Sequence, residues 1–107
     1  MDKQTKKIKD LKKKIEFILE SNPKARNSDQ YLTLCIWATY YPEYIFQDGR
    51  GKAVLLENIM ALPREDNVKR LRAKIQNEEH KWLPTTVEVA KKRGILEEVW
   101  YKYVNTN

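Results

Sequence analysis

Four prolines, Pro23, Pro42, Pro63 and Pro84, limit where this chain can form regular structure. A proline ring fixes φ, removes an amide hydrogen and restrains the preceding residue, so none of the four belongs inside a long helix. Between them, apolar residues recur at helical spacing. Ile8, Leu11, Ile15 and Ile18 mark one face of a first segment, Phe17 and Leu19 flank it, and lysines fill the other faces. The spacing predicts an amphipathic helix of about five turns, ending at Ser21-Asn22-Pro23.

A second helix is expected from Asn27, Ser28 or Asp29, each able to cap free amides, through Leu32, Leu34, Cys35, Ile36 and Trp37 to Pro42. Tyr40, Tyr41, Tyr44, Ile45 and Phe46 crowd the next connection, which ends at Asp48-Gly49-Arg50-Gly51. That pair is a turn signal, but the flanks do not alternate, so no hairpin is predicted there. A third helix is expected from about Lys52 to Ala61, with Val54, Leu55, Ile59 and Met60 facing inward. A fourth has Pro63 in its first turn, Glu65 and Asp66 at its positive dipole end, and Val68, Leu71 and Ile75 as the buried stripe. Arg72 falls near the core boundary. Thr85-Thr86-Val87-Glu88 has capping-box spacing and opens a last helix to about Val104, which Gly94 weakens or breaks.

With 107 residues, 41% of them hydrophobic and only three glycines, the chain can bury one modest core and lacks the glycine-rich turns of a many-stranded sheet. The expectation is a single all-α domain, 1–107, of about five helices. Residues 1–20 form the lysine-rich helix and residues 27–104 a helix-turn-helix-like core with the C-terminal helix, leaving room for a short hairpin near residues 80–84. One cysteine cannot form an internal disulfide, and Cys35 in YLTLCIW reads as a small buried hydrophobe. No apolar run approaches a membrane span.

The formal net charge is +6, and its placement is uneven. Residues 1–14 hold seven lysines against two aspartates, and residues 63–82 hold six cations against four acids. Such a distribution favours polyanionic partners. The short turn before the fourth helix gives a helix-turn-helix layout in which that helix enters a major groove. Asn67, Arg70, Lys74 and Asn77 then face the groove, while Lys69 and Lys81 contact phosphates. Lys3, Lys6 and Lys7 add phosphate contacts from the first helix. A second candidate is VEVAKKRGI, with Ala90, Gly94 and Ile95 at helix-turn-helix spacing. Arg93 occupies an apolar slot of that motif and Trp100 is bulky for its place, so an ordinary helix is preferred there.

The stretches LPREDNVKRLRAKIQ and WLPTTVEVAKKR resemble a group of small helical proteins encoded by tailed bacteriophages and prophages of Gram-positive bacteria, over about residues 54–103. The resemblance implies a phage origin and association with DNA, and carries no reaction with it. Catalysis finds no signature: one histidine and one cysteine supply no zinc spacing, and there is no phosphate loop, dinucleotide glycine pattern or nucleophile elbow. No catalytic residue, metal or cofactor is therefore predicted. The expected function is a non-enzymatic accessory or regulatory protein of a phage, binding double-stranded DNA in the host cytoplasm, away from membranes. The alternative is an anti-defence protein that inhibits a host nuclease complex, a CRISPR-type effector among them. It would use Tyr40, Tyr44, Phe46, Trp82 or Trp100 as interface anchors.

Overall fold

None of the long helices contains a proline. The structure, a computed structural model, describes the backbone of residues 3–106 and the side chains of residues 9–105. Helix α1 spans Lys3–Ser21 and α2 spans Asp29–Tyr40, with a 3₁₀ turn at Pro23–Arg26 between them. Ser28 caps α2, its side chain accepting from the Tyr31 amide at 3.1 Å. After a second 3₁₀ turn, Pro42–Tyr44, come strands β1 (Phe46–Asp48) and β2 (Gly51–Ala53), then α3 (Leu56–Ile59) and α4 (Glu65–Ala73). A π-helical turn, Lys74–Glu78, extends α4, and α5 (Val87–Lys92) and α6 (Glu97–Thr106) complete the chain. The described residues are thus mostly helical, with one small two-stranded sheet.

Helices α1, α2 and α4 pack against one another. They bury Ile15, Ile18 and Leu19 from the first, Leu32 and Ile36 from the second, and Val68 and Leu71 from the third, with Ile75 on the π turn. These are the residues that helical periodicity assigns to the inside. The expectation of one core is corrected, because Leu83, Ala90, Ile95 and Trp100 form a second apolar cluster. Two clusters and the length of α1 spread the molecule over 44 × 42 × 22 Å, with a radius of gyration of 15.2 Å against about 13 Å for a compact chain of this length.

Between α5 and α6 the single long helix of the sequence reading is broken. Gly94 adopts φ +77, the Ile95 amide donates to the Ala90 carbonyl at 2.9 Å, and the Gly94 amide donates to that of Lys91 at 3.0 Å. This is a Schellman cap, and its left-handed residue favours glycine. The capping residue of α5 is Thr86, which accepts from the Val89 amide. Thr85 is instead tied to Asn27, whose Oδ1 accepts from its amide at 2.8 Å and whose Nδ2 donates to its hydroxyl at 2.6 Å.

The sheet also departs from expectation. It lies at residues 46–53, pairing Phe46 with Ala53, Gln47 with Lys52 and Asp48 with Gly51. The turn is closed by the Arg50 amide donating to Asp48 Oδ1 at 2.7 Å, a local contact that needs no alternating pattern in the strands. Residues 80–84 are irregular rather than a hairpin, with His80 at φ 54 and Trp82 at φ 45. The expected third helix shrinks to one turn. Leu55, Ile59 and Met60 are exposed rather than buried, because α3 joins neither apolar cluster. Pro63 precedes α4 instead of opening it, and its carbonyl accepts from Trp37 Nε1 at 2.8 Å.

Candidate nucleic-acid interface

Lys12 and Glu79, sixty-seven positions apart, form an ion pair at 2.6 Å. This contact joins the lysine-rich part of α1 to the end of the π turn that continues α4. Lys81 Nζ lies 4.0 Å from the other oxygen of the same carboxylate. The hydrogen bond from Lys12 holds Glu79 below its ordinary pKa, with the charges of Lys12, Lys81 and Lys74 adding to the effect against desolvation. The same hydrogen bond raises the pKa of Lys12. Lys12, Lys74 and Lys81 thus act on Glu79, while Glu16 also acts on Lys12, so three cations meet two carboxylates where the two basic segments join.

A depressed carboxylate stabilises the fold above its unfolded pKa, and that stabilisation is lost as pH falls through the folded value. Replacing Glu79 with Gln is expected to cost up to about 1 kcal/mol at pH 7, since the pair is partly solvated. Urea titrations should show the difference from the parent closing as pH falls from 6 towards 3. A gap that persisted unchanged at pH 3 would contradict the ion-pair assignment.

Asn67, Lys69 and Arg70 on α4 and Lys74 on the π turn that extends it are exposed, and Arg70 Nη2 donates to Asn67 Oδ1 at 3.2 Å. That bond holds the guanidinium along the helix surface. Asn77, although exposed, is engaged: its Nδ2 donates to the Arg93 carbonyl at 2.8 Å. It therefore serves the junction with α5 before it can serve a base edge. Lys81 is exposed, 6.0 Å from the centre of the Trp82 ring. Lys3, Lys6 and Lys7 fall on the first turns of α1, outside the residues whose side chains are described.

The aromatic candidates divide by burial. Trp100 is 9% exposed and its Nε1 donates to the Pro84 carbonyl at 2.7 Å, so it is part of the second cluster and not a surface anchor. Trp82 and Tyr40 are half-buried against the helical core, Tyr44 is half-buried, and Phe46 is exposed.

Sequence reasoning missed a buried polar junction between the two apolar clusters. Arg72, 4% exposed, donates to both oxygens of Asp29 at 2.8 and 2.9 Å. Arg93 approaches the same carboxylate at 3.9 Å, donates to Gln76 Oε1 at 2.9 Å and also donates to the Arg26 carbonyl. Gln76 is fully buried and donates from Nε2 to the Trp82 carbonyl at 2.8 Å, which helps fix the left-handed backbone at that residue. Burial, then the neighbouring Arg72 charge, lowers the Arg93 pKa to about 10, with Asp29 opposing, so Arg93 remains a cation at neutral pH. The signal available in the sequence was Arg72 on the boundary of the buried stripe, which implied a carboxylate partner without saying which.

Among the described residues no group of three His, Cys, Asp or Glu side chains could hold a metal ion, and no helix is long and apolar enough to cross a membrane. Comparison with known proteins finds no matching family model, no matching curated protein and no matching solved structure.

Proposed function

We propose that this chain is a non-enzymatic accessory or regulatory protein of a phage that binds double-stranded DNA through a basic surface running from α1 to α4. The observation that carries the reading is the Lys12–Glu79 pair, which puts the lysine-rich helix beside Lys74 and Lys81. Two cationic segments distant in sequence then act on one stretch of phosphates, and counterion release supplies the affinity.

Within this reading α3 and α4 keep the helix-turn-helix-like layout, with α3 reduced to one turn, and α5 and α6 are the weaker candidate for such a unit. Ala90 and Ile95 are buried, Gly94 is left-handed, and Arg93, the residue that spoiled the pattern, is satisfied by Asp29, Gln76 and Arg26. Yet the second helix of that unit begins with exposed Glu97 and Glu98, and Glu97 pairs with Lys91 at 2.5 Å. Carboxylates there oppose approach to a groove lined by phosphates, so α4 rather than α6 carries the DNA contacts.

Changing Arg70 and Lys74 together to Ala is expected to weaken duplex binding in a mobility-shift series, since both side chains face the groove. Both side chains are exposed, so thermal stability should stay within about 0.5 kcal/mol of the parent. Equal duplex affinity in the parent and the double variant would remove α4 from the interface.

A second reading, inhibition of a host nuclease complex by protein contact, is favoured by one feature. Leu56 and Met60 on and beside α3 are 86% and 83% exposed, and adjacent apolar side chains left in water are a common mark of a protein-binding surface. Under that reading, Leu56→Glu with Met60→Glu abolishes capture of a salt-resistant protein partner and leaves duplex binding intact. Retained capture by this variant would exclude α3 as the contact.

A further inference from the structure

The opposite side of α1 carries a different chemistry. Phe17 is 55% exposed, and its ring meets that of Tyr40 edge to face with centroids 6.5 Å apart. One turn earlier, the Lys14 ammonium lies 5.4 Å from the centre of the Tyr40 ring and 4.9 Å from that of Tyr41, and donates to the Tyr41 hydroxyl at 3.2 Å. Lys14 forms no ion pair with a carboxylate among the described residues, including Asp10 one turn before it. The rings therefore orient this cation without neutralising it, and exposed Lys13 stands beside it. At about 100° per residue, Lys12 lies some 140° around the helix from Phe17, so this cluster is separate from the α1–α4 surface.

We propose that Phe17, Tyr40 and Lys14 form a stacking site for single-stranded nucleic acid. An unpaired base lies on the exposed Phe17 ring, braced from behind by Tyr40, and the adjoining phosphates meet Lys14 and Lys13. The combination selects a single strand, since duplex bases are stacked on one another and offer no free face to a ring on a helix surface. Lys13 and Lys14 a turn before the exposed ring, against Glu20 a turn after it, leave a positive balance that favours this occupant over an apolar protein segment, while Glu16 acts on Lys12 on the other face. The cluster would let a protein that holds duplex DNA on one side of α1 engage a displaced strand on the other.

The test is fluorescence anisotropy of a labelled twelve-residue oligothymidylate at low salt, with a blunt duplex of equal length measured in parallel. Phe17→Ala should weaken oligothymidylate binding about tenfold, the loss of one stacked base, while duplex affinity changes less than about twofold. Phe17→Trp should retain or tighten single-strand binding. Lys14→Gln should reduce the single-strand salt slope by about 0.7. Phe17 is largely in solvent, so a melt of the Ala variant should overlay that of the parent. The proposal is overturned if the parent does not bind oligothymidylate, if Phe17→Ala binds it as the parent does, or if duplex and single strand lose affinity equally. Arg70→Ala with Lys74→Ala separates the two sites, since it should affect the duplex alone.

Discussion

Asp29→Ala is expected to destabilise the fold by about 3–5 kcal/mol, more than any change on the basic surface. The substitution removes the carboxylate that pairs with Arg72 and lies beside Arg93, and the two guanidiniums are 4% and 12% exposed. Deleting one partner of a buried ion pair leaves an uncompensated charge away from water, which is the origin of the large cost. For a domain near 100 residues that loss lowers the melting temperature on the order of 20 °C. Replacing Asp29, Arg72 and Arg93 together with apolar residues of similar size should recover most of the stability, because the penalty belongs to the orphaned charges rather than to lost attraction. Urea unfolding of the single and triple variants checks both statements, and a loss below about 1 kcal/mol in Asp29→Ala would mean that water reaches the junction freely.

Deleting residues 1–7 has the largest expected effect on binding. It removes Lys3, Lys6 and Lys7 together with Asp2, and three lost phosphate contacts lower the log–log salt slope by about 2.7 for B-form DNA. At about 0.1 M salt this corresponds to an affinity loss of two to three orders of magnitude relative to the parent. The apolar face that α1 presents to α2 and α4 is buried further along, at Ile15, Ile18 and Leu19. The shortened protein should therefore fold, and a salt titration of duplex binding reads the effect directly. An unchanged slope would reduce these lysines to solubilising charges.

The parts of the fold legible in the sequence were those governed by periodicity and local caps. Ile15, Leu32, Val68 and Ile75 repeat at helical spacing and are fully buried, because an amphipathic helix has only one face to give to a core. Ser28 caps α2 for an equally local reason. The residues around Leu55 and Met60 misled, since their apolar character predicts burial only where another element covers them. The Asp48-Gly49 turn was visible, but the strands it joins are three residues each and too short to show alternation. At Arg93 the sequence showed an arginine in an apolar slot but not the partners that satisfy it. Asp29 and Gln76 are 64 and 17 positions away, and only the tertiary fold brings their oxygens to the guanidinium. The meeting of Lys12 with Glu79 was hidden for the same reason, so the basic surface could be suspected as two segments but not assembled.

The central claim, that this surface binds duplex DNA by neutralising phosphates, is tested most directly by anisotropy of a labelled duplex of about 20 base pairs titrated with the parent protein between about 50 and 200 mM salt. The expected result is clear binding at the low end and an affinity that falls by about 10³ across the range, as for six phosphate contacts, with Trp82→Ala and Tyr44→Ala shifting it less than Arg70→Ala. No detectable duplex binding even at 50 mM salt would contradict the claim and leave the exposed apolar surface of α3 as the stronger guide to function.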